Sequence, residues 1–407
     1  MLNVKDIYAV ILAGGAGERF WPMSTTSRPK QFLAIPSGKP LICEAVERIE
    51  ALIPLQNVFI ITRADLVGMV HKVLPDFPRK NIVGEPCGRD TAAAVALGAA
   101  LVKSRNEKAA FCVLTSDHLI GRRKVFLRTL SDCFKLALSS DSLITIGIKP
   151  STPSTGFGYI EVGGKLNDAH RFCHSERSEE SLPQLSTWRR SVRCAQDDNV
   201  CSASHAHDAV CKTDFLKVRR FVEKPDASTA RKYMRSGKFY WNSGMFVWSV
   251  AALEAAIRKH RPQLRGLIEK IGKSGARRRS DSFNAILKRE YTKLEKISVD
   301  YAVMEKAGNI VMARCDFAWD DVGSWAALEN HCEKDSGGNV VVGSGEIYDA
   351  RDNIAVAEDG LIALVGVRDL VVVRSGAATL VCAKNKAQEI KHLVARMKKI
   401  GKYKGIV

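Results

Sequence analysis

The stretch Tyr8 to Leu33, YAVILAGGAGERFWPMSTTSRPKQFL, decides how the rest of the chain is read. Ile7 to Leu12 is an apolar run with the length and β-branched content of a buried strand. It stops at Ala13-Gly14-Gly15-Ala16-Gly17, where the backbone can take φ > 0 and approach a ligand without Cβ atoms in the way. Arg19 follows, and Lys30 comes after Pro22 and Pro29 have stiffened the loop. A glycine turn offering backbone N–H groups, flanked by one arginine and one lysine, suits a polyphosphate.

Two familiar phosphate loops do not fit. The dinucleotide fingerprint needs a third glycine where Phe20 stands, and no acidic residue closes a short βαβ unit. The Walker loop needs Gly-Lys-Ser/Thr, and Gly17 is followed by Glu18-Arg19-Phe20. The pattern GG-x-G-x-R-F-x-P…PK-Q instead resembles the sugar-1-phosphate nucleotidylyltransferases. Its Phe20-Trp21-Pro22 and Pro29-Lys30-Gln31-Phe32 elements resemble the mannose-1-phosphate guanylyltransferase branch.

At 407 residues the chain has room for two or three domains and a large core. Its 46% hydrophobic and 26% charged fractions suit a globular protein. The excess of 62 Lys+Arg over 44 Asp+Glu, +18, raises nucleic-acid binding. The basic residues are scattered, however, and no helix-turn-helix, RRM or zinc pattern accompanies them, so anionic small substrates gain from the field instead. The eleven cysteines lack zinc spacing, several sit singly in apolar runs, and reduced thiols in a cytoplasmic protein are expected. The N-terminal apolar run is short and lacks a basic leader, which argues against a signal peptide, and no stretch is long enough to span a membrane.

From residue 7 to about 150, strand candidates Ile7–Leu12, Val58–Thr62, Ala110–Leu114 and Leu143–Ile148 alternate with helix candidates Leu41–Leu52, Thr91–Val102 and Lys124–Leu138. That alternation predicts an α/β fold, a mostly parallel sheet covered on both faces, with ligands beyond the strands' carboxyl ends. Asp90 or Thr91 is a ready N-cap for the second helix. Thr115-Ser116-Asp117-His118 follows a strand end, where a surface turn is one reading and a carboxylate holding Mg²⁺ against a triphosphate the other. Ser298–Ala307 reads as a helix. After Asp335-Ser336-Gly337-Gly338, short β-rich runs predict a small all-β unit, followed by a helix from about Asn385 to Ile400. Ala387, Ile390, Val394 and Met397 on that helix form a coiled-coil-like seam, either for self-association as a homodimer or for packing within its own domain.

The resemblance assigns roles residue by residue. It implies a Rossmann-like nucleotidyltransferase domain over 1–335, then a left-handed β-helix-like region with a terminal helix over 336–407. Gly14, Gly15 and Gly17 would bind the nucleotide, with Glu85, Arg89 and Thr91 on the base side; Ala93 departs from a proline common in the family. Arg19 and Lys30 would be catalytic, and Asp117 and Asp321 would hold Mg²⁺. The family's Asp-x-Gly-Ser-Trp pattern selects Asp321 over Asp320, while Thr115 replaces a usual proline. The segments at Gly156–Ile160, Phe221–Pro225 and Phe239–Phe246 resemble the sugar lobe, which implies Gly158, Glu223, Lys224 and Asn242 as sugar-phosphate ligands.

The implied reaction is transfer of GMP from GTP to mannose 1-phosphate, a direct in-line displacement releasing diphosphate. Another hexose 1-phosphate or nucleotide, or an inactive sugar-nucleotide-binding regulatory homologue, are the alternatives. One segment, residues 167–211, has no apolar period and holds four of the eleven cysteines. It reads as an inserted, disordered surface loop in preference to a Cys/His metal site.

Overall fold

The structure is a computed structural model that describes residues 2–166, 213–274, 281–403 and 405–407. The segment 167–211 lies outside them. A nine-stranded sheet forms the first layer. Its strands are β1 (Ile7–Ala13), β2 (Val58–Arg63), β3 (Ile82–Glu85), β4 (Ala110–Thr115), β6 (Leu143–Ile148), β7 (Tyr159–Lys165), β8 (Phe215–Val222), β9 (Phe239–Ser249) and β10 (Ile310–Arg314). A separate ribbon pairs β5 (Leu119–Ile120) with β11 (Trp319–Asp320). The order is β3-β2-β1-β4-β9-β6-β10-β8-β7, with β8 and β9 running against the others. The chain leaves β1 for β2 on one side and reaches β4 on the other. The glycine loop therefore sits at a topological switch point, where α/β sheets open a crevice.

The expected strands and helices are present with small shifts at their ends. Helices α1 (Leu41–Ile49), α2 (Val67–Val73), α3 (Asp90–Lys103) and α4 (Arg123–Ser139) cover the first half of the sheet. Helices α5 (Ala227–Ser236), α6 (Val250–His260), α7 (Arg265–Ser274) and α8 (Asp281–Tyr291) belong to the second. The N-cap expectation fails at α3. Asp90 has φ 65° and accepts only the N–H of Thr91, while the Thr91 hydroxyl accepts the N–H of Val299 at 2.9 Å. Ser298–Ala307 is not a regular helix either. It contains a π-helical turn, Asp300–Met304, closed by Glu305 N–H donating to the Asp300 carbonyl. Docking of Val299 on Thr91 fixes where that turn begins, and Val299, Ala302 and Val303 are buried as their spacing predicts.

Beyond residue 335 the chain winds into stacked parallel coils. Strands β12 (Val340–Val342), β14 (Ile354–Ala357) and β16 (Leu370–Ser375) lie side by side, as do β13 (Gly345–Tyr348) and β15 (Ile362–Val365). A buried asparagine ladder joins the coils: Asn353 donates to Asn339 Oδ1 at 2.9 Å, and Leu370 N–H donates to Asn353 Oδ1 at 3.0 Å. Strand β17 (Ala378–Ala383) ends the stack antiparallel to β16. The terminal helix is shorter than expected, a 3₁₀ turn over Lys384–Glu389 and then α9 (Ile390–Met397). Its seam is spent inside its own chain: Ala387, Ile390, Val394 and Met397 are buried with Phe20, Trp21 and Trp325. Of the two readings of that seam, packing within the chain is the one realised, so these residues are not available for a homodimer.

Strands β7 and β8 pair antiparallel out to Lys165 opposite Leu216, and Leu166 N–H donates to the Phe215 carbonyl at 2.9 Å. Leu166 and Thr213 therefore stand close enough for a short hairpin link. Deleting Asn167 through Cys211 should preserve cooperative unfolding. It should raise stability by up to about 2 kcal/mol, at ~0.6 kcal/mol per halving of the loop. Chemical denaturation checks this, and a destabilised variant would mean the segment packs on the fold.

Candidate active site

The glycine loop is folded so that the carbonyls at its two ends are engaged while its central amides are not. The Ala13 carbonyl accepts from Gln31 Nε2 and from the Thr62 hydroxyl, and the Ala16 carbonyl accepts from Ser24. The N–H groups of Gly15, Ala16 and Gly17 have no acceptor among the described residues. Gly17 is at φ +63°, and a Cβ there would lie 2.4 Å from Lys30 Cβ. Only glycine lets Lys30 pack this closely.

Lys30 is 6% exposed and crosses beneath the loop. Its ammonium donates to Asp117 Oδ2 at 3.1 Å and to the Asp321 carbonyl at 2.6 Å. Burial alone would push the Asp117 carboxyl up, but Lys30 holds it below its ordinary value. Asp321 goes the other way, to about 6, because it is buried and faces Asp320 and Asp117. Asp320 is spent on structure: it accepts from Val322 N–H at 2.7 Å and meets His331 Nε2 at 2.9 Å. Arg19 Nη1 donates to the Gly323 carbonyl at 3.3 Å, and its Nε is buried without a partner. These groups line a cavity of about 290 Å³, together with Ala16, Gly17, His118 and Lys391.

On one side, a cavity of about 640 Å³ is lined by Gly14, Gly15, Glu85, Arg89, Thr91 and Asp117. Glu85 is held from behind: the Tyr291 hydroxyl donates to its Oε1. Its Oε2 stands 3.4 Å from where a Gly14 Cβ would lie. Burial raises the Glu85 carboxyl, and the Tyr291 bond pulls it back only in part. Arg89 is tethered by Nη2 to the Thr292 carbonyl at 2.6 Å, with its Nε buried and unpartnered. Thr91 borders this cavity, although its hydroxyl is engaged by Val299.

On the opposite side, a cavity of about 830 Å³ runs past Arg19, the 151–157 loop, Lys224, Trp241, Trp319 and Asp321. The four residues implied as sugar-phosphate ligands gather beside it. Lys224 Nζ meets Glu223 Oε1 at 2.6 Å, and that bond raises the Lys224 pKa. A Cβ on Gly158 would lie 2.5 Å from Glu223 Oε2, so a larger residue there would push the Glu223 carboxylate from its present position. Asn242 N–H donates to the Gly158 carbonyl, and Asn242 Nδ2 donates to Asp300 Oδ1 at 2.7 Å. Asp117 borders both the 640 Å³ and the central cavity; Arg19 and Asp321 border the central and the 830 Å³ cavity. The three spaces form one trough.

A model of the family described as Nucleotidyl transferase matches residues 8–174 and 207–336. The chain belongs to the nucleotidyl transferase family. A second model, described as a MannoseP isomerase/GMP-like beta-helix domain, matches residues 345–397. A Salmonella montevideo protein named mannose-1-phosphate guanylyltransferase is 33% identical over 96% of this chain and 74% of its own length. An Escherichia coli O157:H7 protein named mannose-1-phosphate guanylyltransferase 2 is 32% identical, over 98% of this chain and 74% of its own. A Thermus thermophilus structure described as mannose-1-phosphate geranyltransferase superposes with a TM-score of 0.76 and 30% identity, covering 97% of this chain and 99% of that one. The nucleotidyl transferase model passes over residues 175–206, the middle of the segment read as an insertion.

Several residues of this nucleotidyl transferase site escaped the sequence reading. Asp300 sits beside Asn242 and near Glu223, and burial next to Glu223 raises its carboxyl to about 6. The rings of Phe157, Trp241 and Trp319 make a contiguous aromatic wall on the 830 Å³ cavity, with centroids 4.9 and 5.4 Å apart. His118 accepts from Trp319 Nε1 at 3.2 Å and tethers the Asp117 loop to the Asp321 loop. Tyr291 and Lys391 come from elements read only as helical pattern, or not read at all. Arg19→Ala should lower kcat by roughly 10²–10³, the scale seen on removing a transition-state donor. Its fold should hold, since the guanidinium makes one long bond to a carbonyl. Steady-state rates at saturating substrates check this.

Proposed function

We propose that this nucleotidyl transferase joins GTP to mannose 1-phosphate, giving GDP-mannose and diphosphate. The observation that supports it best is the continuous trough, in which Asp117, Arg19 and Asp321 border two cavities each. A nucleoside triphosphate and a sugar phosphate laid end to end meet at the α-phosphorus beside those three residues. An oxygen of the sugar phosphate attacks that phosphorus, and the bond to the diphosphate breaks with its electron pair leaving on diphosphate. No side-chain nucleophile is needed, so catalysis is positioning and charge stabilisation. Lys224 holds the attacking phosphate, while Glu223, Asn242 and Asp300 accept from or donate to sugar hydroxyls. Arg19 and the free amides of the glycine loop bind phosphate oxygens, and Lys30 keeps the two acidic loops in place.

The donor set fits Mg²⁺. Asp117 and Asp321 are two hard oxygen donors on one cavity, and burial, with smaller contributions from Asp320 and Asp117, raises the Asp321 carboxyl. No cluster of three or more metal-ligating side chains exists among the described residues. Mg²⁺ takes one or two carboxylates and completes its shell with water and substrate phosphates. When bound there, Mg²⁺ neutralises charge on the phosphate oxygens. The choice of base rests on Glu85. A carboxylate is acceptor-only when ionised and matches the adjacent N1–H and N2–H₂ donors of guanine. Adenine has no such pair. The mannose assignment is supported by the names of the relatives. The described cysteines are unpaired, and Cys112 and Cys133 lie fully buried, which suits a reducing cytoplasmic setting.

A diphosphate-release assay over nucleoside triphosphates and sugar 1-phosphates tests the reading. GTP with mannose 1-phosphate should be the best pair, and turnover should vanish without Mg²⁺. Faster turnover of UTP or dTTP with glucose 1-phosphate would overturn it. In the same grid Tyr291→Phe should raise the KM for GTP by roughly 3–10-fold, the worth of one hydrogen bond. It should leave the KM for the sugar phosphate unchanged.

A further inference from the structure

We propose that Lys391, on the C-terminal helix α9, binds the departing diphosphate, so that the coiled C-terminal unit completes the active site. The proposal rests on nucleotidyl transfer alone, because diphosphate leaves whichever base and sugar are joined. Lys391 lines the central cavity with Ala16, Gly17, Lys30 and Asp117, and also borders the adjoining space with Arg19 and Asp321. It makes no hydrogen bond or ion pair among the described residues. Two of the acidic groups around it are already engaged, Glu18 with Lys398 at 2.6 Å and Asp117 with Lys30 at 3.1 Å, while the Asp321 carboxylate shares both cavities with it.

The helix is fastened so that this lysine cannot drift from the site. Ile390 and Val394, one turn apart, are buried in the core behind the glycine loop with Phe20 and Trp21. Trp21 Nε1 donates to the Ile406 carbonyl at 2.9 Å, tying the chain beyond the helix to the same loop. A residue next to Ile390 lies about 100° around the helix, on the flank of the buried stripe. That flank borders the cavity. The lysine stem is long and its ammonium carries three donors, so it can follow a phosphate group without moving the helix. Lys224, which also lines the 830 Å³ cavity, is the group proposed above for the attacking phosphate. The cation beside the glycine loop is placed for the opposite end of the reaction, where negative charge grows as the bond to the α-phosphorus breaks.

The test is calorimetric titration of the full-length protein with inorganic diphosphate in the presence of Mg²⁺, which needs neither GTP nor a sugar. Lys391→Ala should weaken binding about tenfold, the value of one charge-assisted hydrogen bond. Lys391→Glu should weaken it further, and Lys391→Arg should restore most of it. All three should melt at the parent temperature, because the side chain supports no packing. In the reverse reaction the KM for diphosphate should rise with the same ranking, and the KM for the nucleotide sugar should not. Undiminished diphosphate affinity in a normally melting Lys391→Glu protein would overturn the proposal. So would a rise confined to the KM for the sugar 1-phosphate, which would assign the lysine to the sugar-side cavity.

Discussion

A buried lysine with nowhere else to go sets the geometry of this protein. Lys30 is pressed against Gly17, and its ammonium is shared between the Asp117 carboxylate and the Asp321 carbonyl. Taking an ammonium out of water costs several kcal/mol unless partners replace the lost solvation. The partners here come from two separated places in the chain, the turn after β4 and the turn after β11, while the lysine stem packs against the glycine loop. Satisfying one cation therefore fixes three loops relative to one another. The same contact holds the Asp117 carboxyl below its ordinary value, while burial and the neighbouring Asp320 and Asp117 raise that of Asp321 against the pull of Lys30.

The rear of the glycine loop is as constrained as its front. Phe20 and Trp21 are buried in a core shared with Trp325, Ile354, Val371 and α9, and Phe20 also borders the central cavity beneath Lys30. Trp325 Nε1 donates to the Trp21 carbonyl at 3.1 Å. The coiled C-terminal unit is thus the floor on which the loop rests. It is built to be stiff, with Asn339 and Asn353 bonding successive coils through buried side-chain amides. Such groups are costly to bury unless every bond is made, and here each has defined partners.

Much of this was legible in the sequence because it depends on local rules. The strand ending in Ala13-Gly14-Gly15, the alternation up to Ile148 and the parallel sheet follow from period and punctuation. The ligand candidates Lys224, Asn242 and Glu223 were placed by motif, and the structure brings them together around Gly158. What could not be read depended on where distant segments meet. Asp300 looked like one more polar residue on a helix, and only Val299 docking on Thr91 turns its helix into a π-helical turn. The seam on α9 has the same spacing whether its apolar face meets a second copy or Phe20, since periodicity reports a buried face and not what buries it. Tyr291 and Lys391 carry no sequence signal, because their meaning lies entirely in the neighbours they reach.

The two ends of the trough are not independent. Residues 297–299 lie along residues 89–92: Ile297 N–H donates to the Arg89 carbonyl at 3.3 Å, Ala92 N–H to the Ile297 carbonyl at 3.2 Å, and Val299 N–H to the Thr91 hydroxyl. Arg89 also reaches the Thr292 carbonyl, one residue beyond the Tyr291 that orients Glu85. The chain from Tyr291 to Asp300 thus carries the residue that orients Glu85 in one cavity and, at its other end, the carboxylate beside Asn242. One continuous stretch of chain, pinned to residues 89–92, links the two cavities, and the proposed in-line attack between them depends on the separation it helps to set.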